Sequence, residues 1–399
     1  MAAIIQTRSG VDSAGKHLIG SFRGTHAGPT LIIMGGIHGN EPAGVLAARR
    51  VVSKLEELRF TLGGEVVLLA GNTRALERDM RYVDADLNRL WTSENVQKIK
   101  AGTSSRGEIS EALEQRELLG EIEAAIARAR GEIFFVDLHT TSAPGKPFAT
   151  VGDTLRNRRF ALNFPVTIVL GLEEQIDGTL LEYANNLGLI TLGLEAGQHL
   201  EPASANHHEA TIWIACQATG NLGRHDIPEF EAYYSLLARA TGGKRVVEVR
   251  YRHAISPEEN FRMEPGFNNF QPVAKGQVLA RDRNGEIASK EKGLVLLPLY
   301  QSLGDDGFFV GRRVKRFWLR LSALLRRMRV GDFVHLLPGV TKDPLNDNFI
   351  IIDTRVARIL PLQVFHLLGF RKRRWSGSRL VVSRRAHDLQ RPPIQAAVS

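Results

Sequence analysis

Short apolar runs alternate with helical patterns through residues 1–230. The runs Thr30–Met34, Glu65–Ala70, Ile133–Leu138, Val166–Leu170 and Ile190–Glu195 are brief and mostly apolar, the pattern of strands covered on both faces. Between them, Pro42–Leu58, Ile109–Ala129, Thr179–Leu187 and His207–Ala218 space their apolar residues as helices do. This alternation predicts an α/β domain built on a largely buried sheet. Three strands run straight into polar residues: Met34 into Gly-Gly-Ile-His-Gly-Asn-Glu, Val136 into Asp-Leu-His-Thr-Thr, and Leu192 into Gly-Leu-Glu-Ala-Gly-Gln-His. Ligands gather at the carboxyl ends of strands in open α/β sheets, so these ends are where chemistry is expected.

The texture changes after Glu229–Thr241 and the turn at Gly242-Gly243. Val246–His253 alternates, and turn signals recur at Pro265-Gly266, Lys275-Gly276, Asn284-Gly285 and Lys292-Gly293. Such spacing predicts a small all-β domain. The expected organisation is therefore a catalytic domain over 1–243, a β-rich domain over 244–310 and a basic extension over 311–399.

Charge divides the chain at the same place. Of the 399 residues, 52 are Lys or Arg and 43 are Asp or Glu, a net of +9. Residues 311–399 hold 19 basic residues against five acids, a net of +14, which leaves residues 1–310 at −5. Any argument from basicity to membranes or nucleic acid thus concerns the extension. The single Cys216 excludes an internal disulfide framework and a multi-cysteine metal site. With no run of about 18 apolar residues and no basic-then-apolar leader, a cytoplasmic protein is expected.

The sharpest motif is Gly35-Gly36-Ile37-His38-Gly39-Asn40-Glu41-Pro42. The glycines allow a tight bend after the strand, and His38 and Glu41 can converge on one point. Imidazole plus carboxylate suits zinc, whose catalytic sites usually combine three protein ligands with an open position. A loop histidine beside a helix-start acid is the competing explanation, since a carboxylate is favoured at a helix N-terminus in any case. His139, at another strand end 101 residues downstream, supplies a third ligand and favours the metal. A phosphate-binding loop is not supported, because the Gly-Lys-Ser/Thr ending is missing. A second cluster, Arg81-Tyr82-Val83-Asp84-Ala85-Asp86-Leu87-Asn88-Arg89, could grip a carboxylate or could be a solvated charged loop.

GGIHGNEPAG, RYVDADLNR, VDLHTT and LGLEAGQH, in that order, resemble the succinylglutamate desuccinylase/aspartoacylase family, a branch related to the zinc carboxypeptidases. The resemblance extends over about residues 25–310, including KGLVLLPLYQSLGDDGFF. It implies a carboxypeptidase-like mixed sheet flanked by helices, one zinc ion per subunit, and hydrolysis of a small N-acyl substrate, typically an acylated amino acid. Carried over by position, His38, Glu41 and His139 match the zinc ligands and Glu195 the general base. Arg81 matches the group that polarises the scissile carbonyl, and Asn88 and Arg89 the pair that holds a substrate carboxylate. Asp137 and Asp86 are candidates to orient those groups. His199 and His208 also match bacterial members and are given no chemical role.

Three positions depart from the animal aspartoacylases and speak against a strict N-acetylaspartate enzyme. Asn185 stands where they have an Arg ten residues before the general base, and Phe309 and Arg312 align with their substrate-binding Tyr and Lys. A zinc carboxypeptidase acting on peptide-like amides is the alternative activity.

In the extension, Phe317, Leu321, Leu324, Leu325 and Met328 recur at helical spacing among arginines. This predicts a basic amphipathic helix that packs on its own protein, docks on a partner or lies on an anionic membrane surface. The last would make the protein peripheral to the membrane. No nucleic-acid reading module is recognisable, which argues against that partner.

Overall fold

A computed structural model describes residues 6–8, 17–57, 61–103, 109–343, 348–353, 362–376 and 379–390. Its strands are β1 (Gln6–Arg8), β2 (Leu18–Arg23), β3 (His26–Gly35), β4 (Gly63–Ala70), β5 (Ile133–Thr141), β6 (Phe148–Val151), β7 (Thr167–Leu170), β8 (Ile190–Gln198), β9 (Val246–Ala254), β10 (Arg262–Met263), β11 (Pro272–Val273), β12 (Val278–Asp282), β13 (Gly285–Ala288), β14 (Gly293–Leu296) and β15 (Asp306–Arg313). The basic extension adds β16 (Val340–Lys342), β17 (Phe349–Asp353), β18 (Phe370–Ser376) and β19 (Arg379–Arg384). Among the described residues these form one twelve-stranded sheet, ordered β1-β2-β4-β3-β5-β8-β6-β7-β9-β15-β14-β11, and antiparallel sheets of three and four strands. The mixed α/β class expected from the alternating pattern is the class observed.

The centre of the large sheet, β4-β3-β5-β8, is parallel. Successive side chains of a strand point to opposite faces, and here both faces meet helices. Leu31 and Ile33 pack with the helices Ala43–Glu57 and Pro202–Thr219, whereas Ile32 and Met34 pack with Ser110–Arg128 and Leu180–Asn186. Double coverage explains the unbroken apolar runs. The chain passes residue 243 without leaving the sheet, because β9 pairs parallel with β7 and antiparallel with β15. The later strands thus extend the same sheet, and β10, β12 and β13 form the small three-stranded sheet beside it.

The extension folds into the helix Arg316–Arg327, a 3-10 stretch Val330–Leu336 and a four-stranded sheet around Ile350, Phe365, Phe370, Leu380 and Val382. It docks through buried charge. Asp153, just after β6, accepts from Arg158 (Nε to Oδ1 2.6 Å, Nη2 to Oδ2 3.0 Å), from Arg326 (2.8 Å) and from Arg371. Arg371 also reaches Glu248 at 2.6 Å, and Arg326 reaches Asp388 at 3.3 Å. Arg385 bonds Glu174 at 2.8 Å. No helix among the described residues is long and apolar enough to cross a membrane.

Candidate metal and catalytic site

Parallel register brings the strand ends together. Gly35 pairs with Leu138, and His139 pairs with Glu195. After β3 the chain turns at Gly36, whose φ of +73° suits glycine. It then passes so close to the segment after β4 that a Cβ on Gly39 would lie 2.2 Å from the carbonyl carbon of Ala75. This close approach delivers His38 and Glu41 to the end of β5.

His38, Glu41 and His139 are buried and each offers a donor atom within 4.8 Å of the others. His38 Nδ1 lies 2.8 Å from Glu41 Oε1, and His139 Nδ1 lies 3.2 Å from Glu41 Oε2. The far ring nitrogens are held by carboxylates: His38 Nε2 by Asp86 Oδ1 at 3.2 Å and His139 Nε2 by Asp137 Oδ2 at 2.9 Å. Donation of the His139 Nε2–H to Asp137 would leave its Nδ1 lone pair for the common point, the arrangement usual for metal-ligating histidines, while His38 Nε2 is shared between Asp86 and Arg81. The Thr140 N–H further fixes Glu41, donating to Oε2 at 2.8 Å. Burial alone would raise the Glu41 pKa, but His38 and His139 outweigh it and hold the carboxyl well below its usual range. Two imidazoles and an ionised carboxylate form a donor set that fits a divalent cation such as zinc.

A cavity of about 140 Å³ opens beside this cluster and is lined by all three residues, by Arg81, Asn88, Arg89, Thr140 and Glu195, and by Leu297–Leu299 and Phe309 from the later strands and loops. Glu195 Oε2 is buried with no hydrogen-bond partner. Burial, only partly offset by His139, pushes the Glu195 pKa up to about 8.

Arg81 Nη2 donates to Asp86 Oδ2 at 2.9 Å and lies 2.9 Å from His38 Nε2, with Nη1 3.8 Å from Glu41. The arginine expected to polarise a carbonyl therefore sits against His38 and Glu41. Asn88 Oδ1 accepts from the Leu180 N–H at 2.9 Å. Arg89 meets Asp305 at 3.2 Å and Asp306 at 3.5 Å, so its guanidinium is already paired with two acids. That Asp305-Asp306 pair belongs to the LGDDGFF stretch, whose role was not read from sequence.

Residues 27–215 match the family model described as the succinylglutamate desuccinylase/aspartoacylase catalytic domain. Over that stretch, a little under half of its length, the chain is similar to the catalytic domains of that family. A succinylglutamate desuccinylase of Pseudomonas paraeruginosa is 32% identical over 28% of this chain and 31% of its own length. An N-acyl-aromatic-L-amino acid amidohydrolase (carboxylate-forming) of Xenopus laevis is 34% identical over 28% of this chain and 34% of its own. The chain thus spans about a third of the length of these curated relatives. A solved succinylglutamate desuccinylase/aspartoacylase from Rhodobacter sphaeroides shares the fold at 19% identity, with a TM-score of 0.53 over 72% of this chain and 87% of that one.

The departures from the animal members can now be placed. Phe309 lines the cavity and is almost fully buried. Arg312 does not reach it: beyond a register shift at Val310/Gly311 it lies 3.5 Å from Glu248 and lines a separate cavity beside the extension. Asn185 accepts from Arg385 Nη1 of the extension at 3.3 Å, so a guanidinium arrives there from a distant part of the chain. Also unforeseen was Glu173, a cavity-lining carboxyl that accepts from Thr150 Oγ1 at 3.0 Å and whose pKa burial raises. His199 lines the cavity between Thr140 (2.7 Å) and Gln301 (3.1 Å), while burial drives His208 down to about 3, leaving it neutral.

Proposed function

We propose that this chain is a zinc-dependent amidohydrolase that cleaves a small N-acyl amino acid into a carboxylate and an amine. His38, Glu41 and His139 would hold the ion, with Asp86 and Asp137 orienting the two imidazoles. A zinc ion there supplies Lewis acidity toward an amide carbonyl and toward water, whose pKa such ions lower from 15.7 to about 7.

The chain's own groups account for the remaining steps. Glu195 takes a proton at Oε2 from the attacking water and delivers it to the leaving nitrogen; burial, which raises its pKa, makes it the stronger base once ionised. Arg81 adds fixed positive charge where the carbonyl oxygen becomes an oxyanion. Arg89 and the Asn88 amide hold the amino acid's carboxylate, with Asp305 and Asp306 giving way to it. The observation that carries this reading is the unpartnered, buried Glu195 Oε2, placed in register with His139 on the same cavity.

Purified protein assayed on N-acetyl, N-succinyl and longer N-acyl amino acids, with metal content measured in parallel, tests the proposal. Glu195→Gln is expected to lower kcat by about 10²–10⁴-fold while leaving bound metal unchanged. Parental turnover in that variant, or turnover by protein shown to contain no metal, would refute it.

A further inference from the structure

The helix Arg316–Arg327 is mounted inside out. Phe317, Leu321, Leu324 and Met328 occupy positions i, i+4, i+7 and i+11, one face of the helix. That face looks into solvent: Phe317 is 64% exposed, Leu324 53% and Met328 63%. The opposite face carries Arg326 and Ser322, both buried, with Arg326 bonded to Asp153 and Ser322 Oγ to the Leu367 carbonyl. Leu319 and Leu325 pack against the cores and Leu321 is half-buried, whereas Phe317, Leu324 and Met328 of the stripe stay exposed.

The exposure is concentrated here. Of the 14 large apolar side chains exposed among the described residues, six fall between Phe317 and Leu336 in sequence: Phe317, Trp318, Leu324, Met328, Phe333 and Leu336. Scattered exposed apolar residues are ordinary, but a contiguous set rimmed by charge marks an interaction surface. The rim has one sign. Arg312, Arg313, Lys315, Arg316, Arg320, Arg327 and Arg329 are all exposed, and no Asp or Glu occurs from Arg312 to Gly331.

We propose that this surface seats the protein on an anionic lipid bilayer. A bilayer offers apolar acyl chains just below a negatively charged headgroup layer, which matches protruding Phe, Leu and Met side chains bordered by arginines. The helix lies in the plane of the interface, with its stripe in the acyl boundary and Arg316, Arg320 and Arg327 among the headgroups. Arg326, bonded inward to Asp153, keeps the helix rigidly attached to the large-sheet α/β domain while its outer face is engaged.

Cosedimentation of the full chain with vesicles tests the proposal. Binding is expected to vesicles of equal parts phosphatidylcholine and phosphatidylglycerol, not to phosphatidylcholine alone, and to weaken as salt rises. The exposed-site variant Phe317→Ser/Leu324→Ser/Met328→Ser should keep the parental thermal midpoint and lose at least about tenfold in vesicle affinity. Arg316→Glu/Arg320→Glu/Arg327→Glu, which keeps the apolar stripe, should lose more than about a hundredfold, each basic contact counting for about fivefold. Parental binding by either variant, or equal binding to the neutral vesicles, overturns the proposal. So does self-association in the absence of vesicle binding that the serine variant abolishes, which would assign the face to a second copy of the chain.

Discussion

Asp153→Asn probes the joint between the basic extension and the large-sheet α/β domain with nearly unchanged shape. Asp153 is buried and receives Arg158, Arg326 and Arg371. Removing one partner of a buried ion pair typically costs about 3–5 kcal/mol, because the other charge is left uncompensated. Arg326 retains Asp388 and Arg371 retains Glu248, whereas Arg158 keeps only a 3.3 Å contact to Ser322 Oγ among its bonds to the extension. One largely orphaned guanidinium places the expected loss at the lower end, about 3 kcal/mol, a substantial part of the roughly 5–15 kcal/mol that holds a domain together. With a urea m-value of about 2–3 kcal/mol/M, the midpoint should fall by about 1 M or somewhat more. Urea titration followed by far-UV circular dichroism measures this, and limited proteolysis should show cleavage near residue 315 before the large-sheet domain opens. A loss below about 0.5 kcal/mol, or destabilisation with no change in protection of the extension, would show that the charge cluster does not fasten the two parts.

The same joint should respond to acid. Burial would raise the pKa values of Asp153 and Glu248, but Arg158 with Arg326 and Arg371 hold the first well below its ordinary value, and His366 and Arg371 do so for the second. Folded-state pKa values lowered in this way contribute stability above the unfolded values of about 3.9 and 4.3, which is lost as pH falls below them. The wild-type thermal midpoint should therefore drop steeply below about pH 4, with a shallower drop in Asp153→Asn. Asp137→Asn keeps the shape beside His139 but removes the carboxylate that orients its ring, and should weaken zinc affinity about 10–100-fold by competition with a chelating dye. Gly39→Ala forces a Cβ against the Ala75 backbone, so denaturation should register a loss of about 1–3 kcal/mol or more, together with weaker metal binding as His38 is displaced.

The catalytic half was legible because its signals are local. An apolar run ending in Gly-Gly-Ile-His or Asp-Leu-His identifies a strand and a strand end together, and β3, β5 and β8 lie where the runs placed them. The short strand β6 carried no such signal: its four residues, Phe-Ala-Thr-Val, gain their place by pairing with β7 and β8. Periodicity identified the helix in the extension but could not orient it. It counts apolar positions and assumes they face a core, whereas buried Asp153 rewards turning Arg326 inward instead. Glu173, Arg385 and the Asp305-Asp306 pair escaped for a related reason, since each acquires its role from a partner far away in sequence.

The Asn40 amide donates to Gln301 at 3.1 Å, and Arg385 closes on Glu174. During synthesis His38 and Glu41 leave the ribosome hundreds of residues before these partners. The segment bearing the donor set can collapse early, yet the walls beside it arrive only with the last part of the chain. Premature termination before about residue 300 would therefore release a chain that carries the donor set beside an unfinished cleft, because Gln301, Asp305, Asp306 and Phe309 of its wall would be missing.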